Sequence, residues 1–297
     1  MERVTLAKDL EFSRLVYGMW RLADKADRSE RTVRAKIDAC LAQGITTFDQ
    51  ADVYGNYESE AVFGAVLKAD PSLRDRIEIA TKCGIKLVTD KAPERQVKHY
   101  DTSAAHITAS AEQSLAKMGI ERLDLLMVHR PDPLMDHEAT GAALDALVAA
   151  GKVRAVGVSN FKPHDITLLQ SAMQAPIVAN QIELSVLHTA PFTDGDLAFL
   201  QEHDLAAMAW SPLAGGKLFA PANAALATRL AALGRATGGD ISAAALAWLL
   251  AHPARILPVV GTNNLERIAM IGKALDVTID REVWFEIYQL SRGQEVA

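Results

Sequence analysis

The feature that most constrains the fold of this chain is a repeated unit. In it an Ala/Leu-rich amphipathic segment ends at a glycine and a short apolar run follows. The unit occurs at Gly44, Gly119 and Gly151. Glycine is favoured just beyond a helix end because it adopts the left-handed conformation without a Cβ penalty. Each amphipathic segment is therefore predicted to be a helix, and the apolar run after it a β-strand.

Applied to the whole chain, this pattern predicts eight strands. They are Leu15–Gly18, Ile45–Phe48, Ile77–Ala80, Leu123–Val128, Val153–Val158, Ile177–Asn180, Ala206–Ala209 and Ile256–Val260. Eight strands that alternate with helices favour an α/β fold of the closed parallel (β/α)8, or TIM-barrel, class, with an open doubly wound sheet as the alternative. The length of 297 residues suits one barrel and no composition change marks a linker, so residues 1–297 are expected to form a single domain.

The charge pattern indicates neither a nucleic-acid partner nor a membrane partner. The net charge is −6 with a pI near 5.8, and no run of Lys or Arg exceeds a couple of residues. The chain starts without the apolar run of a signal peptide, and no apolar stretch reaches the roughly 18 residues of a membrane span. The two cysteines, Cys40 and Cys83, are too few for a disulfide framework. A cytoplasmic protein is therefore expected.

Polar or aromatic residues fall at or just after the C-terminal ends of six different predicted strands. They are Asp49, Lys82, His129, Ser159, Gln181 and Trp210. Barrel enzymes build their active sites at this end of the barrel, so these side chains are expected to converge on one mouth. Taken singly, Asp49 could cap a loop, Lys82 could be a surface cation and His129 a core histidine. Their joint placement favours a catalytic site.

Tyr54 adds the group that can turn this set into an acid. A phenol keeps its proton up to a pKa of about 10, so it donates poorly near neutrality unless a cation stabilises the phenolate. Lys82 is predicted to supply that charge and lower the pKa of Tyr54, with Asp49 as the counter-ion of the ammonium. His129 is predicted to hydrogen-bond a substrate oxygen or relay a proton.

At these residues the chain resembles the aldo-keto reductase family. The tetrad of that family is an Asp and a Tyr in Phe-Asp-x-Ala-x-x-Tyr-Gly, then a Lys, then a His. Further strings of the same pattern cover nearly the whole chain, namely Gly157–Phe161, Asn180–Glu183, Ala209–Leu213 and Pro258–Thr262. The resemblance implies reduction of a small-molecule aldehyde or ketone with NADPH/NADP+ as cofactor. The catalytic residues that it implies are Asp49, Tyr54, Lys82 and His129.

The resemblance also implies where the cofactor binds. Ser159, Asn160 and Gln181 are expected to hold the nicotinamide carboxamide, with Trp210 stacked on the ring. The glycine-containing loop 211–218 is expected to lie over the pyrophosphate. No Gly-x-Gly-x-x-Gly follows the first strand, so a Rossmann site is not indicated. The other expected contacts are Gly18, Met19, Trp20, Asp49, Ser211, Pro212, Leu213, Ala214, Gly215, Lys217, Gly261, Thr262, Asn263 and Arg267.

The adenine end of this expected site departs from the family pattern. Met270 and Ile271 stand where many members have a Glu–Asn pair. A preference for the 2′-phosphate of NADPH is therefore expected to depend mainly on Arg267 and Thr262. Asn263 carries no charge and adds no second cation there.

The substrate pocket is expected to be open and lined by Trp20, Tyr54, His129 and Arg130, although Trp20 could equally be a core tryptophan. Little chain follows the helix predicted at Val283–Ile287, which leaves little to form a lid. The polar segment 84–101 is expected to be an exposed loop near the mouth.

Other functional classes fit the sequence less well. The Gly-Gly-Lys within Ser211–Leu218 lacks the first Gly and the final Ser or Thr of a P-loop. A metal-dependent barrel hydrolase needs His-x-His or clustered carboxylates at strand ends, and the histidines are scattered, so no metal is expected. A sensing barrel that binds the cofactor with little turnover is a further alternative, against which the intact tetrad argues. A monomer is expected.

Overall fold

The structure, a computed structural model, describes residues 1–24 and 27–297. Its strands are β1 (Arg3–Ala7), β2 (Leu10–Ser13), β3 (Val16–Gly18), β4 (Thr47–Asp49), β5 (Glu78–Cys83), β6 (Ile85–Lys86), β7 (His99–Tyr100), β8 (Leu123–Val128), β9 (Val153–Ser159), β10 (Ile177–Glu183), β11 (Ala206–Trp210) and β12 (Leu257–Val260). Its helices are α1 (Glu30–Leu41), α2 (Tyr54–Tyr57), α3 (Ser59–Ala69), α4 (Ala104–Met118), α5 (His137–Ala149), α6 (Pro163–Ser171), α7 (Asp196–Glu202), α8 (Ala224–Ala236), α9 (Ile241–Leu250), α10 (Leu265–Ala269) and α11 (Arg281–Arg292).

Within the described residues, eight parallel strands close into a barrel in the order β3, β4, β5, β8, β9, β10, β11 and β12. Gly18 pairs with Asp49, and Lys82 with Met127, so the C-terminal ends of neighbouring strands lie side by side. The (β/α)8 class and all eight predicted strands are therefore confirmed, with ends that differ by no more than three residues. The predicted C-terminal helix is also present, as α11.

The three glycines that defined the repeat behave as the pattern requires. Gly44, Gly119 and Gly151 have φ angles of 77°, 68° and 70°, which lie in the left-handed region. The Gly119 N–H donates to the Leu115 carbonyl oxygen at 2.8 Å and so satisfies one of the last carbonyls of α4. Each glycine lets the chain turn sharply from an outer helix back toward the next barrel strand.

The antiparallel hairpin β1–β2, which no sequence pattern indicated, closes the N-terminal end of the barrel. Phe12 and Leu10 belong to one buried cluster with inward-facing barrel residues such as Met127 and Met208. The Ser13 N–H donates to Thr47 Oγ1 at 2.9 Å, at the start of β4. The hairpin therefore fills the end of the barrel opposite the strand ends that carry the candidate site.

The segment 84–101 follows β5 at the mouth and is mainly a surface loop, with Gly84, Ile85 and Ala92 buried. The segment also contains regular structure, because β6 and β7 pair as a short antiparallel ladder. Within residues 1–24 and 27–297, no helix has the length and apolar character needed to span a membrane.

We expect Phe12→Ala to lower the free energy of unfolding by about 3 to 5 kcal/mol, because it leaves a cavity at the base of the barrel. The neighbouring Glu11→Ala is the control, since Glu11 is exposed on the other face of β2 and its ion pair with Arg3 contributes at most about 1 kcal/mol. Urea unfolding of both variants measures the difference. Equal losses would contradict the assignment of Phe12 to the barrel core.

Candidate active site

Hydrogen bonds join the strand-end residues across the mouth of the barrel. The Gln181 side-chain amide, on β10, donates to Asp49 Oδ1, on β4, at 2.9 Å. Lys82, on β5, donates to the same carboxylate. Trp210 Nε1 donates to Asn160 Oδ1 at 2.9 Å, and the Asn160 amide donates to Ser159 Oγ at 2.8 Å. The predicted convergence of these strand ends is therefore present.

The Lys82–Asp49 ion pair lies at the centre of this network. The ammonium nitrogen is 2.8 and 2.7 Å from the two carboxylate oxygens, and the two side chains are 0% and 2% exposed. Lys82 is therefore not the surface cation of the alternative interpretation. Burial alone would lower the pKa of the ammonium, but Asp49 and Tyr54 outweigh it and raise that pKa above its ordinary value. Lys82 stays charged.

The Tyr54 hydroxyl lies 3.2 Å from Lys82 Nζ, which donates to it. The effect of Lys82 on the phenol has the expected sign, since it lowers the pKa of Tyr54. Burial is the larger effect, however, and the net result is a pKa above the ordinary value. The predicted effect of Lys82 is therefore present, but burial decides the net direction. Near neutrality Tyr54 carries its proton, which is the form that can donate.

His129 follows β8 directly, and its ring stands edge-on to Tyr54 with 6.0 Å between ring centroids. Burial lowers the pKa of the imidazole well below 6.5, and the positive charges of Lys82 and Arg130 lower it further. The ring is therefore neutral near pH 7. Its Nδ1 atom is buried without a hydrogen-bond partner in the described part of the chain. A neutral imidazole can donate one N–H to an oxygen placed beside Tyr54.

The loop after Trp210 has an unusual backbone. Ser211, Ala214, Gly215 and Gly216 all have positive φ angles, between 50° and 94°. Gly215, Gly216 and Lys217 are exposed, whereas Leu218 is fully buried and attaches the loop to the core. Two amides of the loop are used within it, since the Ala214 N–H donates to the Ser211 carbonyl oxygen at 2.7 Å and the Gly216 N–H to the Leu213 carbonyl oxygen at 3.0 Å.

On the other side of the mouth, the first and last barrel strands meet through small residues. A Cβ on Gly261 would lie 2.9 Å from Trp20 Cδ1, and one on Gly18 would lie 3.0 Å from a Val259 methyl group. Trp20 is 48% exposed, so the core alternative for this residue is wrong. Its indole lies at the surface of the mouth.

The remaining predicted cofactor residues differ in how available their side chains are. Met19 is buried, its N–H donates to the Asp49 carbonyl oxygen at 2.9 Å, and its own carbonyl oxygen accepts from the Leu22 N–H at 2.8 Å. The Asn263 amide donates to the Arg21 carbonyl oxygen and accepts from Lys36, so both of its ends have protein partners. Arg267 is exposed on the short helix α10. Thr262 gives its backbone oxygen to the Tyr17 hydroxyl at 2.7 Å.

Two buried acids behind the site were not among the predicted residues. Asp52 precedes Tyr54 by two positions, and its Oδ1 atom has no hydrogen-bond partner among the described residues. Burial, with a smaller contribution from the nearby Glu60, raises the pKa of Asp52 to about 7. Glu60 accepts from the Thr81 hydroxyl at 2.7 Å and lies 3.7 Å from Lys117. No motif signals this pair, because the fold alone brings together the loop after β4 and helix α3.

A sequence profile of the Aldo/keto reductase family matches residues 14–292. The chain therefore belongs to this family, as the resemblance in its sequence implied. Within the described residues, no group of three or more His, Cys, Asp or Glu side chains could hold a metal ion.

The chain is also similar to individual members of this family. The chain is 59% identical, over 100% of both proteins, to a protein of Agrobacterium fabrum named 6-dehydroglucose reductase. It is 37% identical to a protein of the same name from Novosphingobium aromaticivorans, over 96% of this chain and 93% of that one. The crystal structure of a thermostable aldo-keto reductase, Tm1743, in complex with the inhibitor epalrestat is similar, with a TM-score of 0.83 at 25% identity over 98% of this chain and 100% of that chain. Membership of this family identifies the chain as an oxidoreductase.

We expect Asp52→Asn to stabilise the protein at pH 8 but not near pH 4. The folded pKa of Asp52, about 7, is above its ordinary value of 3.8, so the folded state binds this proton more tightly. The carboxyl therefore reduces stability progressively as the pH rises from about 4 to 7, by about 4 kcal/mol at most. Asn cannot ionise and removes this loss.

The measurement is urea unfolding at both pH values. Asp75→Asn serves as the control because Asp75 is exposed. A stabilisation by Asp52→Asn that is the same at pH 4 and pH 8 would show that the carboxyl does not titrate in the folded protein as described.

Proposed function

We propose that this protein is an NADPH-dependent reductase that reduces the aldehyde group of a sugar aldehyde such as 6-dehydroglucose. The main support for the proposal is a buried hydrogen-bond network in which Lys82 donates to Asp49 and to the Tyr54 hydroxyl. A neutral His129 lies beside this network. The names of the two relatives supply the substrate class.

Asp49, Lys82 and Tyr54 each have a proposed role in protonating the carbonyl oxygen of the substrate. Tyr54 holds the proton and donates it. Lys82, 3.2 Å away, stabilises the phenolate that is left, and Asp49 keeps Lys82 charged and in place. His129 donates its N–H to the carbonyl oxygen and so directs that oxygen toward the phenol. The product is a primary alcohol.

The donors and acceptors of the mouth suit a nicotinamide. A carboxamide is both donor and acceptor. Asn160 Oδ1 has a second lone pair beyond its bond to Trp210, and Ser159 Oγ lies beside it. When bound, NADPH supplies the hydride that reduces the carbonyl carbon. The exposed Gly215–Lys217 segment suits its pyrophosphate because Lys217 supplies a positive charge there, and Arg267 with Thr262 suits its 2′-phosphate.

The groups around Tyr54 suit a polyhydroxylated substrate. Arg130 makes no ion pair with the described residues and lies 5.7 Å from the Trp210 ring centroid, so its N–H groups can bind hydroxyl oxygens. The exposed indole of Trp20 offers a flat apolar surface to the C–H face of a sugar ring. Together they favour a sugar aldehyde over a purely apolar one.

The proposal predicts NADPH oxidation with 6-dehydroglucose, at a higher kcat/KM than with an aromatic aldehyde. Tyr54→Phe should lower kcat by about 10² to 10⁴, since it keeps the ring and removes the acid, and should leave the Kd of NADPH within a few-fold. Turnover of the aromatic aldehyde alone would exclude the sugar. Cofactor binding without turnover of either compound would indicate the sensing barrel, and a variant that keeps a tenth of parental kcat would remove Tyr54 from its role.

A preference for NADPH over NADH is predicted to depend on Arg267. A guanidinium forms charge-assisted hydrogen bonds with a phosphate, each contributing roughly 1.5 to 3 kcal/mol, or about tenfold to a hundredfold in affinity. Arg267→Ala should therefore bring the two Kd values close together. Lys217→Ala is the control, because a contact with the pyrophosphate affects both cofactors alike. An unchanged Kd ratio in Arg267→Ala would show that another residue discriminates.

A further inference from the structure

The backbone after Tyr54 is left-handed for three residues in succession. Gly55, Asn56 and Tyr57 have φ angles of 56°, 55° and 67°. Glycine adopts this conformation readily, but a non-glycine residue in it costs roughly 1 to 2 kcal/mol, and a bulky aromatic residue rarely adopts it. The segment that presents the Tyr54 phenol is therefore held in place by contacts outside itself.

Those contacts come from the polar segment 84–101. The Tyr57 hydroxyl accepts hydrogen bonds from the Leu87 N–H at 3.0 Å and from Arg95 Nη1 at 2.9 Å. The Arg95 guanidinium also lies 5.8 Å from the Tyr57 ring centroid. Tyr57 is thus bound both at its hydroxyl and at its ring.

The residues on either side of Tyr57 are attached to the same segment. Asn56 donates to Asp90 Oδ1 at 2.9 Å and accepts from the Thr89 hydroxyl. Glu58 pairs with Lys91 at 2.6 Å. Residues 87–95 therefore contact each of the three, while Glu58 also pairs with Arg28 and the Lys117 ammonium lies 5.8 Å from the Tyr57 ring centroid.

The opposite side of the turn leaves it little room to move. A Cβ on Gly55 would lie 2.2 Å from the Ala23 Cβ, so the backbone of Gly55 already packs closely against Ala23. The turn is confined between Ala23 on one side and residues 87–95 on the other.

The segment 84–101 also connects the parts of the chain that carry the Lys82 ammonium and the Tyr54 hydroxyl. It begins directly after β5, which carries Lys82, and Ile85 packs in one apolar cluster with Ala51 and Val53 of the loop that leads to Tyr54. The ammonium lies near the end of β5, and the phenol lies after the loop that follows β4. Residues 85–95 attach that loop to the chain that follows β5.

We propose that Tyr57 is a positioning residue, which holds the Tyr54 hydroxyl 3.2 Å from Lys82 by anchoring the left-handed turn to Leu87 and Arg95. It is not among the residues proposed to contact the substrate or the cofactor, and it acts through Tyr54. The inference rests on the proposed role of Tyr54 as the acid. It assigns a role to residues 84–101, which the sequence pattern describes only as an exposed loop.

The test compares Tyr57→Phe with Tyr100→Phe. Tyr100 belongs to the same apolar cluster, and its hydroxyl makes no hydrogen bond with the described residues, so it controls for loss of a hydroxyl at this location. A displacement of about 1 Å at a reacting group can cost about 10² in rate. We expect Tyr57→Phe to lower kcat by about tenfold, with KM and the Kd of NADPH within twofold of the parent. Tyr100→Phe should change none of these values.

A second readout separates positioning from general loss of structure. Moving the phenol away from Lys82 removes an interaction that lowers the pKa of Tyr54, so that pKa should rise and the alkaline limb of the kcat profile should move to higher pH. Ultraviolet difference titration against the matching Tyr54→Phe variants measures the same pKa without turnover. Thermal unfolding identifies any variant that does not fold. Arg95→Met removes one of the two donors, and should give a smaller shift in the same direction.

The outcomes distinguish this inference from the proposed function. Absence of carbonyl reduction by the parent contradicts the proposed function, and the titration still tests the positioning. A folded Tyr57→Phe variant whose kcat matches that of Tyr100→Phe, or whose Tyr54 pKa stays or falls, overturns the inference.

Discussion

The buried ion pair between Lys82 and Asp49 is the interaction on which the mouth of this barrel depends. Moving an ammonium and a carboxylate out of water costs several kcal/mol for each ion, so both must be compensated inside the protein. Lys82 has the two oxygens of Asp49, the Gln50 carbonyl oxygen and the Tyr54 hydroxyl within hydrogen-bonding distance. Asp49 receives a further bond from Gln181. The buried charges of Lys82 and Asp49 are compensated because β4, the segment that carries Tyr54, β5 and β10 meet at this point.

That requirement explains why the site needs a rigid scaffold. Asp49, Lys82 and Gln181 lie on three different strands, and the strands hold them because the barrel is closed and filled. At the opposite end, Phe12 and Leu10 of the hairpin pack among the inward-facing side chains. The same barrel that builds a polar network at its C-terminal end is thus completed by an apolar plug at its N-terminal end.

The sequence pattern was sufficient for the parts of the molecule that repeat or lie close together in the chain. The glycines at 44, 119 and 151 marked helix ends, and the ends of the predicted strands placed Asp49 and Lys82 correctly at one mouth. It was not sufficient for contacts made only in three dimensions. The hairpin β1–β2 carries no helix-end glycine, and the partners of Tyr57 lie 30 and 38 residues further along the chain. The sequence pattern also could not show that burial outweighs Lys82 in the net pKa of Tyr54, because the degree of burial depends on packing.

The protonation states of the two rings have a consequence for the direction of the proposed reaction. Burial raises the pKa of Tyr54 and lowers that of His129, so near neutrality the phenol keeps its proton and the imidazole carries no charge. A protonated phenol is the form required to donate to a carbonyl oxygen, whereas oxidation of an alcohol requires the phenolate to accept a proton. Lys82 stabilises that phenolate, but burial opposes it more strongly. With Tyr54 in its proposed role, the protonated phenol suits reduction near neutral pH, and oxidation becomes more favourable as the pH rises.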